Sequence, residues 1–248
     1  MRNKMRILGG FFVGAALVCL SLSAQPPAPA SAAAKLTLPT ARSPLPPEAL
    51  LDPGAGAWQR IPVRTLGLNR TPPLYDTDPP SEPEISLLDV RVARAGGQLL
   101  VHLSWRDASP DRAELASAPD SPPEERVRKE LTAATERFFD AAAVMFPAEA
   151  AAGALTPSLQ MGDRERPVII YYWNAARGPL RMEAQGRGST RRTGESFPAR
   201  GVYRNGRWQV TLALPELPAG VPLAFAVWNG SQQDRDGRKY FTIWHWLE

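Results

Sequence analysis

Cysteine is almost missing from this chain. The single one, Cys19, lies inside an apolar run at the N-terminus, behind Val18 rather than the small residue that lipid attachment requires. With that segment set aside, disulfides, thiolate metal centres and covalent haem attachment through Cys-x-x-Cys-His are all excluded. Histidine is nearly as scarce. His102 and His245 are the pair, and neither has metal-ligand spacing to the other or to carboxylates, so a hydrolytic metal site lacks donors. His245, among tryptophans, reads as a packed or hydrogen-bonded residue. There is no G-x-S-x-G and no phosphate-binding glycine loop. Lysine is short as well: Lys4, Lys35, Lys129 and Lys239 stand against a crowd of arginines. With no acid–base or nucleophile constellation, the sequence argues against a stand-alone enzyme.

Net charge is another shortage. The formal value is +4, and the first 32 residues hold three cations and no anions. The rest is near neutral, so nothing asks for nucleic acid. Those 32 residues have the order of a signal peptide: Arg2, Lys4 and Arg6, then the apolar run Ile7 to Leu22, then small residues with cleavage near Ala24 or Ala32. The expectation is export to the periplasm; an uncleaved N-terminal anchor facing the periplasm is the alternative. Residues 33–56 are rich in Pro and Ala and predict a disordered leader, either tether or linker. One domain should fill residues 57–248.

Within that domain the signals are those of strands. Trp58 to Leu66, interrupted by Pro62, reads as an edge strand at best. A proline-rich loop covers 69–83. Ile85 to Ala93 and Gln98 to Trp105 form a hairpin about Gly96-Gly97. Residues 124–139 carry i,i+4 charge pairs, Glu124–Arg128 and Glu125–Lys129, and predict a surface helix. Asp140 to Phe146 fits either the end of that helix or a buried strand. Pro167 to Trp173 is an emphatic strand, and 174–200 a long loop with one short strand at most. Its Arg-rich part, 187–204, suits an acidic partner or plain solvation. Asn205-Gly206 turns a second hairpin between Arg200 and Leu214. Leu223 to Trp228 and Lys239 to Leu247 are the last two strands, flanking a loop whose Asp234 and Asp236 offer too few ligands for a calcium site. Without βαβ rhythm or repeats, the fold class is all-β: an antiparallel β-sandwich with an inserted surface helix.

Two residues invite chemistry. Lys239 opens an aromatic strand, and period-2 alternation puts Phe241, Ile243, His245 and Leu247 on its face. It either snorkels to water from the aromatics or has a specific task. Met161 precedes Gly162 in a loop before the strongest strand. It either fills a gap in the core or offers a thioether to a soft metal or haem iron.

Four segments carry a resemblance: Leu103-Ser104-Trp105-Arg106-Asp107; Asp140 to Pro147 (DAAAVMFP); Met161-Gly162-Asp163 with Pro167-Val168 and Trp173; and Ala226-Val227-Trp228-Asn229-Gly230 with Gly237-Arg238-Lys239 and Trp244. Over residues 57–247 the chain resembles the haem-binding gamma subunits of ethylbenzene dehydrogenase and dimethylsulfide dehydrogenase, and those of selenate and chlorate reductases. It departs in Asn229, where many relatives carry aspartate, and in a Pro- and Arg-rich insertion at 108–136. The resemblance favours a strand at Asp140 to Phe146. It implies one noncovalent haem b per chain, with Met161 and Lys239 as axial ligands of the iron and Phe241, Ile243 and the Pro167–Trp173 strand as an apolar wall. It implies electron transfer as part of a molybdenum oxidoreductase complex, between an iron–sulfur subunit and a soluble c-type cytochrome or similar carrier. The molybdopterin centre would sit on another chain. The alternative is a secreted ligand- or carbohydrate-binding module without haem, stacking sugars on Trp228, Trp244 and Trp246.

Overall fold

The computed structural model describes residues 36–71, 84–112, 138–153 and 155–248. The signal peptide expected over 1–32, most of the proline-rich loop and all but the last two residues of the helix expected over 124–139 lie outside the described residues.

In chain order the strands are β1 (Thr37–Leu38), β2 (Thr40–Arg42), β3 (Arg64–Gly67), β4 (Asn69–Arg70), β5 (Leu87–Ala95), β6 (Gln98–Arg106), β7 (Ala141–Pro147), β8 (Val168–Asn174), β9 (Gly178–Ala184), β10 (Arg191–Arg192), β11 (Ala199–Arg204), β12 (Arg207–Pro215), β13 (Pro222–Trp228), β14 (Tyr240–Phe241) and β15 (His245–Leu247). Among the described residues they form two sheets. One runs β1-β15-β13-β7-β8-β9-β10, with β14 and β4 beside β13; the other runs β11-β12-β6-β5-β2, with β3 also on β5. Most pairs are antiparallel, but β1–β15 and β2–β5 are parallel, so both sheets are mixed. The all-β sandwich is what the strand signals predicted.

Both predicted hairpins form. β5–β6 turns on Gly96 and Gly97, with φ of +53° and +73°; β11–β12 turns on Asn205 and Gly206, with φ of +52° and +71°. Two successive left-handed residues make the turn whose twist matches paired strands. Alternation then buries one face of each strand. Val90, Val92, Val101, Leu103, Val210 and Leu212 from one sheet meet Val144, Phe146, Tyr171, Trp173, Phe225 and Val227 from the other.

The outer face of the smaller sheet is also apolar. It is covered by helix α1 (Pro47–Leu51) and a 3-10 turn over Gly56–Arg60, which lay Leu50, Trp58 and Ile61 on Ala93, Leu100 and Ala213. This corrects the expected leader over 33–56. Leu38 is 1% exposed and Leu50 is fully buried, because β1 and β2 finish the sheet edges and Pro47 begins a helix, where its missing N–H is no loss. The edge strand expected at Trp58 is likewise a 3-10 turn, and pairing begins only at Arg64.

Two further differences bear on the site. Residues 174–200, expected as a loop, contain β9, which pairs with β8 along its whole length. And the last strand is broken. Ala226 pairs with Phe241, but Leu223 pairs with His245, so three residues of one strand face two of the other. That is a β-bulge, and one extra residue exchanges the faces beyond it. Thr242 marks it: its N–H donates to Phe225 O (2.9 Å), and its Oγ1 accepts from Phe225 N–H (3.0 Å).

Candidate functional site

β7, β8 and β13 are apolar on both faces. Their inward residues build the sandwich core. Their outward residues form a second apolar surface: Ala141 and Ala143 on β7, Val168 and Ile170 on β8, Ala224 and Trp228 on β13. In register, Ala224, Met145, Ile170 and Met182 make one row, and Ala226, Ala143, Tyr172 and Leu180 the next. The alanines keep the middle of this surface low. Above it lies a cavity of about 1180 Å³, at or above the usual size for a site that takes a cofactor-sized ligand.

Met161 and Lys239 both line this cavity. Met161 sits in the loop before β8 with φ +72°, followed by Gly162 at +76°. A left-handed non-glycine residue is strained by about 1–2 kcal/mol, and such strain gathers at functional sites. The turn is held by Gly162 N–H donating to Ser158 O (2.8 Å) and Gly186 N–H donating to Met161 O (2.8 Å). Gly162 cannot be replaced freely, since a Cβ there would lie 2.7 Å from Arg166 O. The thioether packs against the outer apolar surface and accepts from Thr190 Oγ1 at 3.7 Å.

Lys239 enters just before β14. Its backbone is tied to Thr71, with N–H to Oγ1 at 2.9 Å. Nζ lies 5.4 Å from the centroid of the Trp228 ring. Among the described residues no carboxylate forms an ion pair with it. Burial, and then the charge of Arg187, push its pKa down, with Asp236 opposing; both main causes favour the neutral amine. The lysine is half-buried in the cavity wall, with its amine over Trp228.

Phe241 lines the cavity as expected, on the same face as Ala226. Ile243 does not. It is 47% exposed and lies outside the lining, because the bulge ends the alternation that placed it with Lys239 and Phe241. His245, beyond the bulge, is buried, and its Nδ1 is bonded to Ile243 O (2.9 Å). From the Pro167–Trp173 strand only alternate residues, Ile170 and Tyr172, reach the cavity; Ile169, Tyr171 and Trp173 belong to the core.

The tryptophans do not form an open stacking platform. Trp228 and Trp244 are buried, with indole N–H groups donating to Asp236 O (3.2 Å) and Pro157 O (3.0 Å). Asp234 is structural: it is paired with Arg70 (2.6 Å) and Arg238 (3.6 Å). Asn229 is buried, and its amide donates to Glu84 Oε2 (2.8 Å); an aspartate there would oppose that carboxylate. Among the described residues no group of three or more His, Cys, Asp or Glu could hold a metal ion. What the cavity offers is a thioether, an amine and a low apolar floor. That donor set fits haem iron in a noncovalent porphyrin.

Sequence reading missed the alanine floor, Met145 and Met182; the arginines of the β9–β10 connection lie in the Arg-rich stretch it noted, but not as part of this cavity. The floor had a signal in Leu223–Val227, where Ala224 and Ala226 alternate with the larger Leu223, Phe225 and Val227.

No family model matches the chain. Three relatives do. A protein provisionally named respiratory nitrate reductase heme subunit ORF7, from Haloferax mediterranei, is 31% identical and aligns over 94% of this chain and 81% of its own length. The chlorate reductase subunit gamma of Ideonella dechloratans is 28% identical over 79% of this chain and 77% of its own. The dimethylsulfide dehydrogenase subunit gamma of Rhodovulum sulfidophilum is 26% identical over 79% and 73%. Among solved structures, a family 9 carbohydrate-binding module from Caldicellulosiruptor kristjanssonii with glucose aligns over 84% of each chain at 10% identity, with a TM-score of only 0.39. By the first of these relatives, and in keeping with the other two, the chain belongs to the gamma-type haem subunits of molybdenum oxidoreductases.

Proposed function

We propose that this chain holds one noncovalent haem b between Met161 and Lys239 and passes single electrons between an iron–sulfur subunit of its complex and a soluble c-type cytochrome or similar carrier. The observation that supports it most is geometric: a loop methionine and a half-buried lysine, 78 positions apart in the sequence, line one apolar cavity on the same sheet face. Met161, held in its left-handed turn, offers a soft donor, which favours the reduced metal. Lys239 must act as the neutral amine, and its buried setting lowers the cost of losing the proton. Phe241, Tyr172 and Ile170 line the cavity and would exclude water from a bound porphyrin, for which the alanines on β7 and β13 leave room. A haem bound by two protein ligands has no open position and supplies one-electron transfer, with no substrate chemistry of its own.

The molybdopterin and iron–sulfur centres belong, in this reading, to partner subunits; the names of the chlorate reductase and dimethylsulfide dehydrogenase relatives, each a subunit gamma, support a place in a larger complex. The mature subunit works in the periplasm, delivered by the signal sequence of residues 1–32. No helix among the described residues is long and apolar enough to cross a membrane.

The test is spectroscopic. The exported chain loaded with hemin should show a low-spin spectrum and release haem b into acidified organic solvent. Met161→Ala and Lys239→Ala should each shift the spectrum toward high spin. A spectrum unchanged in both variants sinks the ligand assignment, and a chain indifferent to hemin sinks the haem reading itself.

A further inference from the structure

The β9–β10 hairpin sorts its arginines. Alternation puts Arg181 and Arg191 on the face away from the cavity, where both are neutralised: Arg181 by Glu183 (3.3 Å) and Glu195 (3.2 Å), Arg191 by Glu183 (2.6 Å). Arg192 pairs in register with Met182 and so shares the cavity face. Arg187 follows in the connection, after Gly186. Both line the cavity and both are exposed. Among the described residues neither has a carboxylate within ion-pair distance. The same hairpin thus pairs the arginines it turns away and leaves unmatched those it turns inward.

The remaining charges of the lining do not cancel them. Asp234 is already neutralised by Arg70 and Arg238. Asp236 is exposed and shares the lining with five cations, Lys239, Arg177, Arg235 and this pair. Arg235 lies over the Phe138 ring (4.8 Å) and Arg177 over the Phe139 ring (5.9 Å). The cavity is apolar at its floor and cationic on its exposed side. A ligand suited to both is flat and hydrophobic at one end and dianionic at the other.

We propose that Arg187 and Arg192 clamp the propionate carboxylates of the porphyrin, and so fix which edge of the ring points to solvent. This rests on the haem reading above and assigns the end of the site that the axial ligands leave undefined. Guanidinium groups suit carboxylates because their planar donors match the two oxygens. At exposed positions each pair contributes modestly, and the contribution is screened by salt.

The test uses the full mature chain, titrated spectrally at low salt with hemin and with hemin dimethyl ester, which lacks the carboxylates. The wild type should prefer hemin by about tenfold, as two exposed ion pairs allow, and salt should shrink that preference. Arg187→Ala with Arg192→Ala should bind hemin no better than the ester while its affinity for the ester stays unchanged. Arg191→Ala, on the opposite face, should behave as wild type, and Arg187→Lys with Arg192→Lys should regain part of the preference. A double alanine variant that keeps the preference for hemin overturns the clamp, and so does one that weakens for both ligands equally. If the wild type binds both porphyrins equally with a low-spin spectrum, the haem reading stands and the clamp falls. If the wild type binds neither, both fall together.

Discussion

Asp140 shows how one side chain can tie a sandwich together. It is fully buried where β7 begins, and its carboxylate accepts from Asp111 N–H (2.7 Å), Gly230 N–H (2.9 Å) and, across the core, Trp208 Nε1–H (2.8 Å). Asp107, 6% exposed, accepts from Ser109 N–H (3.1 Å) through Oδ1, with the Trp105 side chain beside it. Burial, and then the charge of Asp140, raise the Asp107 pKa to about 7; burial raises that of Asp140 to about 6. An acid with a raised folded-state pKa binds its proton more tightly when folded. Its contribution to stability is therefore present at low pH and lost as pH rises through the folded value. His102 works the other way. Its pKa is lowered to about 4 by burial beneath the 3-10 turn, so its contribution is lost only as pH falls below the ordinary histidine range. His245, whose pKa burial also lowers, acts as His102 does, so above pH 6.5 the two histidines partly offset the aspartates. The aspartate contribution is therefore read by difference: between pH 6.5 and 8.5, Asp107→Asn should remove on the order of 1 kcal/mol of stability loss relative to the wild type in denaturant unfolding. Wild-type and Asp107→Asn stabilities that run parallel over that interval would contradict the assignment. Both aspartates stood in the segments that carried the family resemblance, but their burial did not show in the sequence. An aspartate after an exposed arginine looks like surface until a second strand closes over it.

At the scale of elements, the strands were legible and their faces were not. Runs such as Val168–Trp173 and Leu223–Trp228 are too apolar to be anything but buried strands. Alternation along the chain then says which residues share a face, but not which face is core. The outer surface of β7 and β13 is lined by alanine, and only the pairing with neighbouring strands shows that these small residues floor one cavity. The C-terminal strand shows the limit of alternation. Its first half obeys the expected pattern, bringing Lys239 and Phe241 to the cavity. The bulge after Phe241 then exchanges the faces, exposing Ile243 and turning Leu247 into the core. Likewise β9 was hidden because Gly178–Ala184 mixes Gly, Pro, Arg and Glu. It pairs because β8 presents a free edge, not because its own residues demand a strand. If the alanine floor makes room for the macrocycle, Ala226→Leu should weaken hemin binding by about tenfold or more through steric overlap. The hemin-free chain should melt within a few degrees of wild type, since the added carbons enter an open cavity. Equal hemin affinity in Ala226→Leu would move the ring elsewhere.

For the molecule as a whole, the two outer faces explain each other. On the smaller sheet, α1 and the 3-10 turn cover the apolar surface with the chain's own residues. On the larger sheet the corresponding surface is covered at its margin by Leu159, Met161 and Trp244, and its centre is the cavity. Filling that cavity should stabilise the fold, because a ligand that binds only the folded state shifts unfolding by mass action. At free hemin a hundredfold above its dissociation constant, the gain is about 2.7 kcal/mol, or about 5–10 °C in Tm for a domain of this size. A thermal melt with and without hemin reads this directly; coincident curves would show that hemin does not occupy a folded site. With one cysteine in the chain, no intrachain disulfide adds to that stability.

The class of fold, both hairpin turns and the strong strands could be read directly from the residues. These follow from local physics: propensity, alternation and the conformational freedom of Gly and Asn act within a few residues. That residues 36–61 close the sandwich, that β9 exists, where the bulge falls and which arginines face inward became visible only in the folded chain. Those depend on pairing partners far along the chain, and a one-residue change in register exchanges inside for outside without altering a single local preference.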